Sequence, residues 1–341
     1  MKISILGLPQ AGQQQLFSLL TGISLETIQL KPLEVQQGIC EVRDPRITKF
    51  SEIYKPKKTT YARIEYLLLP DFNLQGPAKT AIFTQLRNAD ELCYIVRAEN
   101  AENDIANFIS ELIIADLMLT EKRLENIAKD QKKKFAEQRE KEKVLIEQCK
   151  AQLEQEKPVR TLEFTEEQKK ILTAYQLLTM KPIILAINVP ENQLKDKTIT
   201  QKVSDKFQLP TIQLCAELEE EINRLDAADR AAFMQEVGIE ESALNKMSRL
   251  AFAELGLISF FTVGEDEVRA WPIRKGSSAA EAGGTIHSDI AKGFVRAEMM
   301  GCADLIAAGG EAKLKEQGKF CLKGRDYIVE DGDVLSFRFN V

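Results

Sequence analysis

Residues 2–22, KISILGLPQAGQQQLFSLLTG, constrain the fold more than any other stretch. The alternating KISIL runs into Gly7, which reads as a buried strand closed by a glycine turn. From Gly12 the spacing of Leu16, Leu19 and Leu20 reads as a helix with those residues inward and Gly22 as its stop. A strand, a glycine loop and a helix in that order are the setting in which a phosphate-binding loop is credible. The pattern G-x-x-x-x-G-K-[ST] fits from Gly7, through Gln10 and Ala11, to Gly12. Then it fails. Gln13 and Gln14 stand where a lysine and a hydroxyl residue belong, and Gln15 follows.

Further along, ARIEYLLL at 62–69, LCYIVRA at 92–98, PIILAINV at 182–189 and TIQLCA at 211–216 read as strands with helical stretches between them. That alternation implies an α/β domain with a largely parallel sheet. Residues 105–157 break the rhythm, with few turn residues and many Lys, Glu and Gln. Leu117, Leu124 and Ile127 on one arm, and Val144, Leu145, Cys149 and Leu153 on the other, give a narrow apolar stripe. It predicts two long helices packed as an antiparallel coiled coil, ended by Pro158. The tip, QKKKF at 131–135, is either a solvated end or a basic fingertip for RNA or a partner. Residues 218–257 read as helical, with Gly238 and Gly256 as stops. From 261 short strands and turns such as EDGD predict a small α+β domain with a mixed sheet.

Composition narrows the class. The 341 residues suffice for two or three domains with cores of their own. A net charge of −6 argues against non-specific DNA coating but leaves room for a local basic face. No apolar run reaches bilayer length, and KISIL follows Met1 without a signal-peptide pattern, so a cytoplasmic protein with no membrane partner is expected. The six cysteines have no paired spacing and read as reduced core residues. With one histidine, His287, no histidine metal cluster can form, and that residue reads as structural or as a partner contact.

Several stretches together resemble the YchF/Obg-like ATPases, of the Obg branch of P-loop NTPases. They include GLPQAG at 7–12, RDPRI at 43–47, YKPKKT at 54–59, LLTMKPIILAINVPEN at 177–192, LCAELEEEI at 214–222, FFTVGEDEVRAWPI at 260–273 and GGTIHSDIAKGFVRAE at 283–298. The resemblance implies a Rossmann-like P-loop domain in two parts, 1–116 and 161–260, a coiled-coil insert at 117–160, and a β-grasp-like TGS domain at 261–341. It implies ribosome or RNA contact through arm and TGS domain, for which Lys122, Lys132, Lys133 and Lys134 are the residues to test. The family's Asn-x-x-Glu base motif falls on Asn188 and Glu191, with Val189 between them. Cys215 and Ala216 of LCAE fall on the partner loop, so the base expected is adenine.

The catalytic parts depart from that pattern. Loss of a lysine's charge-assisted bond at Gln13 costs about 1.5–3 kcal/mol of phosphate binding. Gln14 replaces the Mg²⁺ hydroxyl. Where the family carries Asp-x-x-Gly, strand alignment puts Leu68 at the aspartate and Asp71 at the glycine. Thr27 is the only nearby candidate for the first switch threonine. Tyr94 stands where the family has a histidine. Phosphoryl transfer depends on positioning and charge neutralisation. The chain is therefore expected to hold ATP or ADP through loop and base with little help from Mg²⁺. It is expected to have no catalytic residue and no resident metal, and to act as a pseudo-NTPase binding module. Two rivals stand beside this: a slow ATPase that rebuilds Mg²⁺ coordination from Gln14 and Asp71, and a nucleotide-free scaffold.

Overall fold

The structure is a computed structural model that describes residues 1–129, 136–237, 239 and 241–340. Its strands are β1 (Lys2–Gly7), β2 (Gln36–Val42), β3 (Lys58–Thr60), β4 (Ala62–Leu68), β5 (Glu91–Arg97), β6 (Ile183–Asn188), β7 (Thr211–Leu214), β8 (Leu257–Thr262), β9 (Glu267–Arg274), β10 (Phe294–Gly301), β11 (Cys321–Lys323) and β12 (Asp333–Phe339). By contacts the chain falls into two compact units, residues 1–38 with 65–243, and residues 39–64 with 244–341.

The first unit is built on the sheet β2-β4-β1-β5-β6-β7. β1 pairs in parallel with β4 and β5, β5 with β6, and β6 with β7. The central strands are apolar on both faces: Ile3, Ile5 and Leu6 of β1, and Leu92 to Val96 of β5, are buried. This is the burial that a parallel sheet covered by helices requires. From β1 the chain turns one way to β4 and the other way to β5, β6 and β7. Ligand crevices in such sheets form at the carboxyl ends of the strands where the order reverses, which here is the end of β1.

Helices Ala101–Lys129 and Ala136–Glu154 pack along Ile113, Leu145, Ile146, Cys149 and Leu153, with Leu117 and Leu124 partly buried against them. Ion pairs Arg123–Glu142 and Lys150–Glu121 run the two in opposite directions. Val144 does not join the stripe: it is 56% exposed, one position off the face that carries Leu145 and Cys149. At the near end Asp116 is fully buried, receiving Arg87 and the backbone N–H groups of Leu178 and Thr179.

The second unit carries the mixed sheet β11-β10-β12-β8-β9-β3. β8 runs antiparallel to β9 and parallel to β12, and β3 joins the far edge in parallel with β9. Adjacent Phe260 and Phe261 point to opposite faces of β8. Phe261 packs with Ile47, Phe50 and Leu305, and Phe260 with Ile273, Ala279 and Leu335. His287 is exposed and accepts from the Asp289 N–H at the start of a short helix. Three of the six cysteines, Cys93, Cys149 and Cys215, are buried as expected; Cys40 and Cys302 are half-buried, and Cys321 is exposed. The reason is its place on the edge strand β11.

Candidate functional site

The loop that follows β1 needs glycine at two points. A side chain at Gly7 would meet the Ile95 carbonyl oxygen at 2.7 Å, and one at Gly12 would meet Asn188 Nδ2 at 2.6 Å. Gly12 also has φ +106°, in the left-handed region that side chains rarely enter. Between them Gln10 sits at φ 62° without that freedom, and Ala11 donates its N–H back to Leu8 O. Gly12 caps the helix Gln13–Thr21, with no side chain capping it and no acidic residue in its first turn. First-turn N–H groups of a helix have no partner within it and carry the positive end of its dipole. The setting fits an anion, phosphate included.

Gln13 fills the lysine position and is 3% exposed. Its Nε2 donates to Asp71 Oδ1 at 2.6 Å, and its Oε1 is buried without a hydrogen-bond partner. Gln14 and Gln15 are half-buried, and Gln14 lines a small cavity together with Gln13, Glu34, Leu68 and Asp71. Phe72 N–H donates to Gly7 O, so the segment after β4 lies directly against the loop. Thr27 is exposed and bonded to Ser24, which caps its helix. For Mg²⁺ the donors at this point are the Gln14 amide and two carboxylates, Asp71, one of whose oxygens Gln13 already engages, and Glu34, which is paired with Lys31. That set lacks the hydroxyl an octahedral ion bound beside phosphates uses, and both its carboxylates are already engaged, so it does not fit the metal. Among the described residues no group of three or more His, Cys, Asp and Glu could hold a metal ion.

Tyr94, on β5, is 1% exposed and stacks on Phe108 with ring centroids 4.0 Å apart, and Phe72 meets both rings edge-on. Burial, with Asp104 adding to it, pushes its hydroxyl well above the usual phenol range. A neutral phenol packed in an aromatic cluster offers no base to a water molecule.

The expected base residues converge at the end of β6. Asn188 Nδ2 donates to Ala11 O at 3.2 Å, and Asn188 Oδ1 accepts from Ala216 N–H at 3.1 Å. Val189 N–H donates to Leu214 O. Cys215 and Ala216 are buried at the start of helix Ala216–Arg224. Burial raises the Cys215 thiol pKa, which disfavours the reactive thiolate. Glu191 is exposed, and with Leu194, Lys195, Leu218 and Val237 it walls a cavity of about 530 Å³. Asn188 thus serves first as a tie between the phosphate loop and that helix, both its polar atoms being taken by backbone. Leu218 and Val237 escaped the sequence reading because nothing local marks an apolar helix residue as cavity wall. Lys122 is exposed on helix Ala101–Lys129, apart from this cluster, while Lys132, Lys133 and Lys134 lie outside the described residues.

Comparison with known proteins places these features. The model YchF-GTPase_C, described as "Protein of unknown function (DUF933)", matches residues 257–340. A Bacillus subtilis protein named ribosome-binding ATPase YchF is 36% identical over 99% of this chain and 98% of its own length. Its Escherichia coli O157:H7 namesake is 34% identical over 100% and 99%. The solved structure of the Schizosaccharomyces pombe YchF GTPase superposes with a TM-score of 0.86 at 26% identity, covering 99% of this chain and 97% of that one.

Proposed function

This chain belongs to the YchF family, and from that premise we propose that it is a nucleotide-binding module of translation that holds an adenine nucleotide without turning it over. The phosphates lie on the open N–H groups after Gly12, and the base lies over the Asn188–Cys215–Ala216 cluster with Glu191 and Val189 at its edge. In such a site Gly7 and Gly12 let the backbone approach, Asn188 holds loop and base strand together, and Glu191 offers an acceptor to an exocyclic amine. The relatives' name, ribosome-binding ATPase, supports the ribosome as partner. Ribosomal RNA or protein is met by the helical arm with Lys122, Lys132, Lys133 and Lys134, acting as a coiled coil, and by residues 261–341, acting as a TGS domain in the cytoplasm. Among the described residues no helix is long and apolar enough to cross a membrane. The four-part division at 116, 160 and 260 belongs to the same proposal.

One observation carries the absence of turnover: Gln13, at the lysine position of the pattern, is uncharged and gives its Nε2 to Asp71 Oδ1 at 2.6 Å. Equilibrium titration with ADP and GDP, each with and without Mg²⁺, tests the binding half. ADP tighter than GDP, with affinity indifferent to Mg²⁺, is the expected result. A preference for GDP, or binding that needs Mg²⁺, contradicts it. The slow-ATPase reading retains one favourable fact, that Gln14 and Asp71 line the same cavity. Metal-dependent binding is its signature.

A further inference from the structure

The cavity beside Gln13 has a charge of its own. Asp71 and Glu34 bring two carboxylates to it, and Lys31 is the one cation among its lining residues. Lys31 is paired with Glu34 at 2.8 Å. The lining is therefore net negative by one charge. Gln13 keeps the Asp71 carboxylate in place through Nε2 at 2.6 Å. Its other polar atom, Oε1, is buried without a donor and adds a partial negative charge to the same wall. A phosphate loop that accepts a triphosphate does the reverse, setting a lysine and Mg²⁺ around the terminal phosphate.

We propose that Asp71, fixed by Gln13, is a specificity determinant that restricts the loop to nucleoside diphosphates. The inference rests on the reading of this loop as a nucleotide site. Two phosphates are accommodated by the open N–H groups of helix Gln13–Thr21. A third, extending past Gln13, enters against the half-buried Asp71 carboxylate, with the exposed Glu34 in the same lining and no unpaired cation among the lining residues. Like charges brought together in a partly desolvated site are strongly repelled, so ATP is expected to bind at least about tenfold more weakly than ADP.

The test is calorimetric titration of the full chain with ADP and with ATP, in EDTA and again in Mg²⁺. The variants are Asp71→Asn and Glu34→Gln. Asn at 71 can still accept from Gln13 and lacks the charge. ATP affinity is expected to rise about tenfold in Asp71→Asn while ADP changes by less than about twofold, with a smaller gain in Glu34→Gln. If Asp71→Asn does not fold, as read by its melting curve, the wild-type order and Glu34→Gln decide. Wild-type binding of ATP as tight as ADP overturns the proposal and leaves the nucleotide site standing. So does an order that Mg²⁺ reverses, since Asp71 would then be a metal ligand. An ADP preference untouched by both variants removes Asp71 from the role. No heat with either nucleotide means that the loop holds none, and the proposal falls with that reading.

Discussion

The Asn188 side chain donates to the backbone oxygen of Ala11 across 177 positions of sequence, at 3.2 Å. Its other atom accepts from Ala216 N–H. One amide therefore fixes the phosphate loop to the end of β6 and to the start of the next helix. Asn188→Ala leaves a loop carbonyl and a buried N–H without partners, at a cost of about 1–3 kcal/mol in stability. The melting temperature is expected to fall, and nucleotide affinity to fall with it. Unchanged stability would mean that water replaces both bonds at no cost.

Glu219 gives a pH signature. It is 5% exposed, and its Oε1 accepts from Ala243 N–H at 2.7 Å. Burial raises its pKa above the ordinary 4.5, the Ala243 bond opposing only in part. A carboxyl whose folded pKa lies above its unfolded one adds stability below the unfolded value and loses it as pH rises through the folded one. The wild-type protein is therefore expected to lose this contribution as pH climbs from 4.5. Glu219→Gln keeps an acceptor for Ala243 and removes the buried charge. Its melting temperature should exceed that of the wild type at pH 7 and match it near pH 4. A variant less stable than wild type at pH 7 would contradict this.

The basic arm makes a separable prediction. Reversal of charge at Lys122, Lys132, Lys133 and Lys134 to Glu is expected to abolish co-sedimentation with ribosomes, and binding should weaken steeply with salt, since phosphate contacts release counterions. Lys122 is exposed, so its reversal should leave the melting temperature unchanged. Retained co-sedimentation would move the contact elsewhere on the chain.

How legible all this is in the sequence depends on distance along the chain. Strands β1, β5 and β6 announce themselves because each is an apolar run covered on both faces. β3 does not: its three residues, KTT, owe their strand to parallel pairing with Glu267, Val268 and Arg269. β2 is hidden by polar residues and by Gly38, where a side chain would meet Thr21 at 2.5 Å. In the site, the spacing of Gly7 and Gly12 points to the loop, and Asn188 and Glu191 to the base. The link from Gln13 to Asp71 spans 58 residues. Strand alignment puts Asp71 at the glycine's place in the pattern, but only the fold shows what its carboxylate touches. The double use of Asn188 is likewise a tertiary fact, invisible in the four-residue motif that contains it.

The most direct measurement is multiple-turnover phosphate release from ATP in Mg²⁺, for the wild type and for Gln13→Lys. Restoring the lysine is expected to tighten nucleotide binding by about tenfold to a hundredfold. It should not restore turnover, because Tyr94 stays locked against Phe108 and Gln14 still stands in for the hydroxyl residue that would bind Mg²⁺. Phosphate release at the buffer background is expected for both proteins. Sustained Mg²⁺-dependent release by the wild type, abolished by Asp71→Asn, would show that this loop is an engine and not a holder.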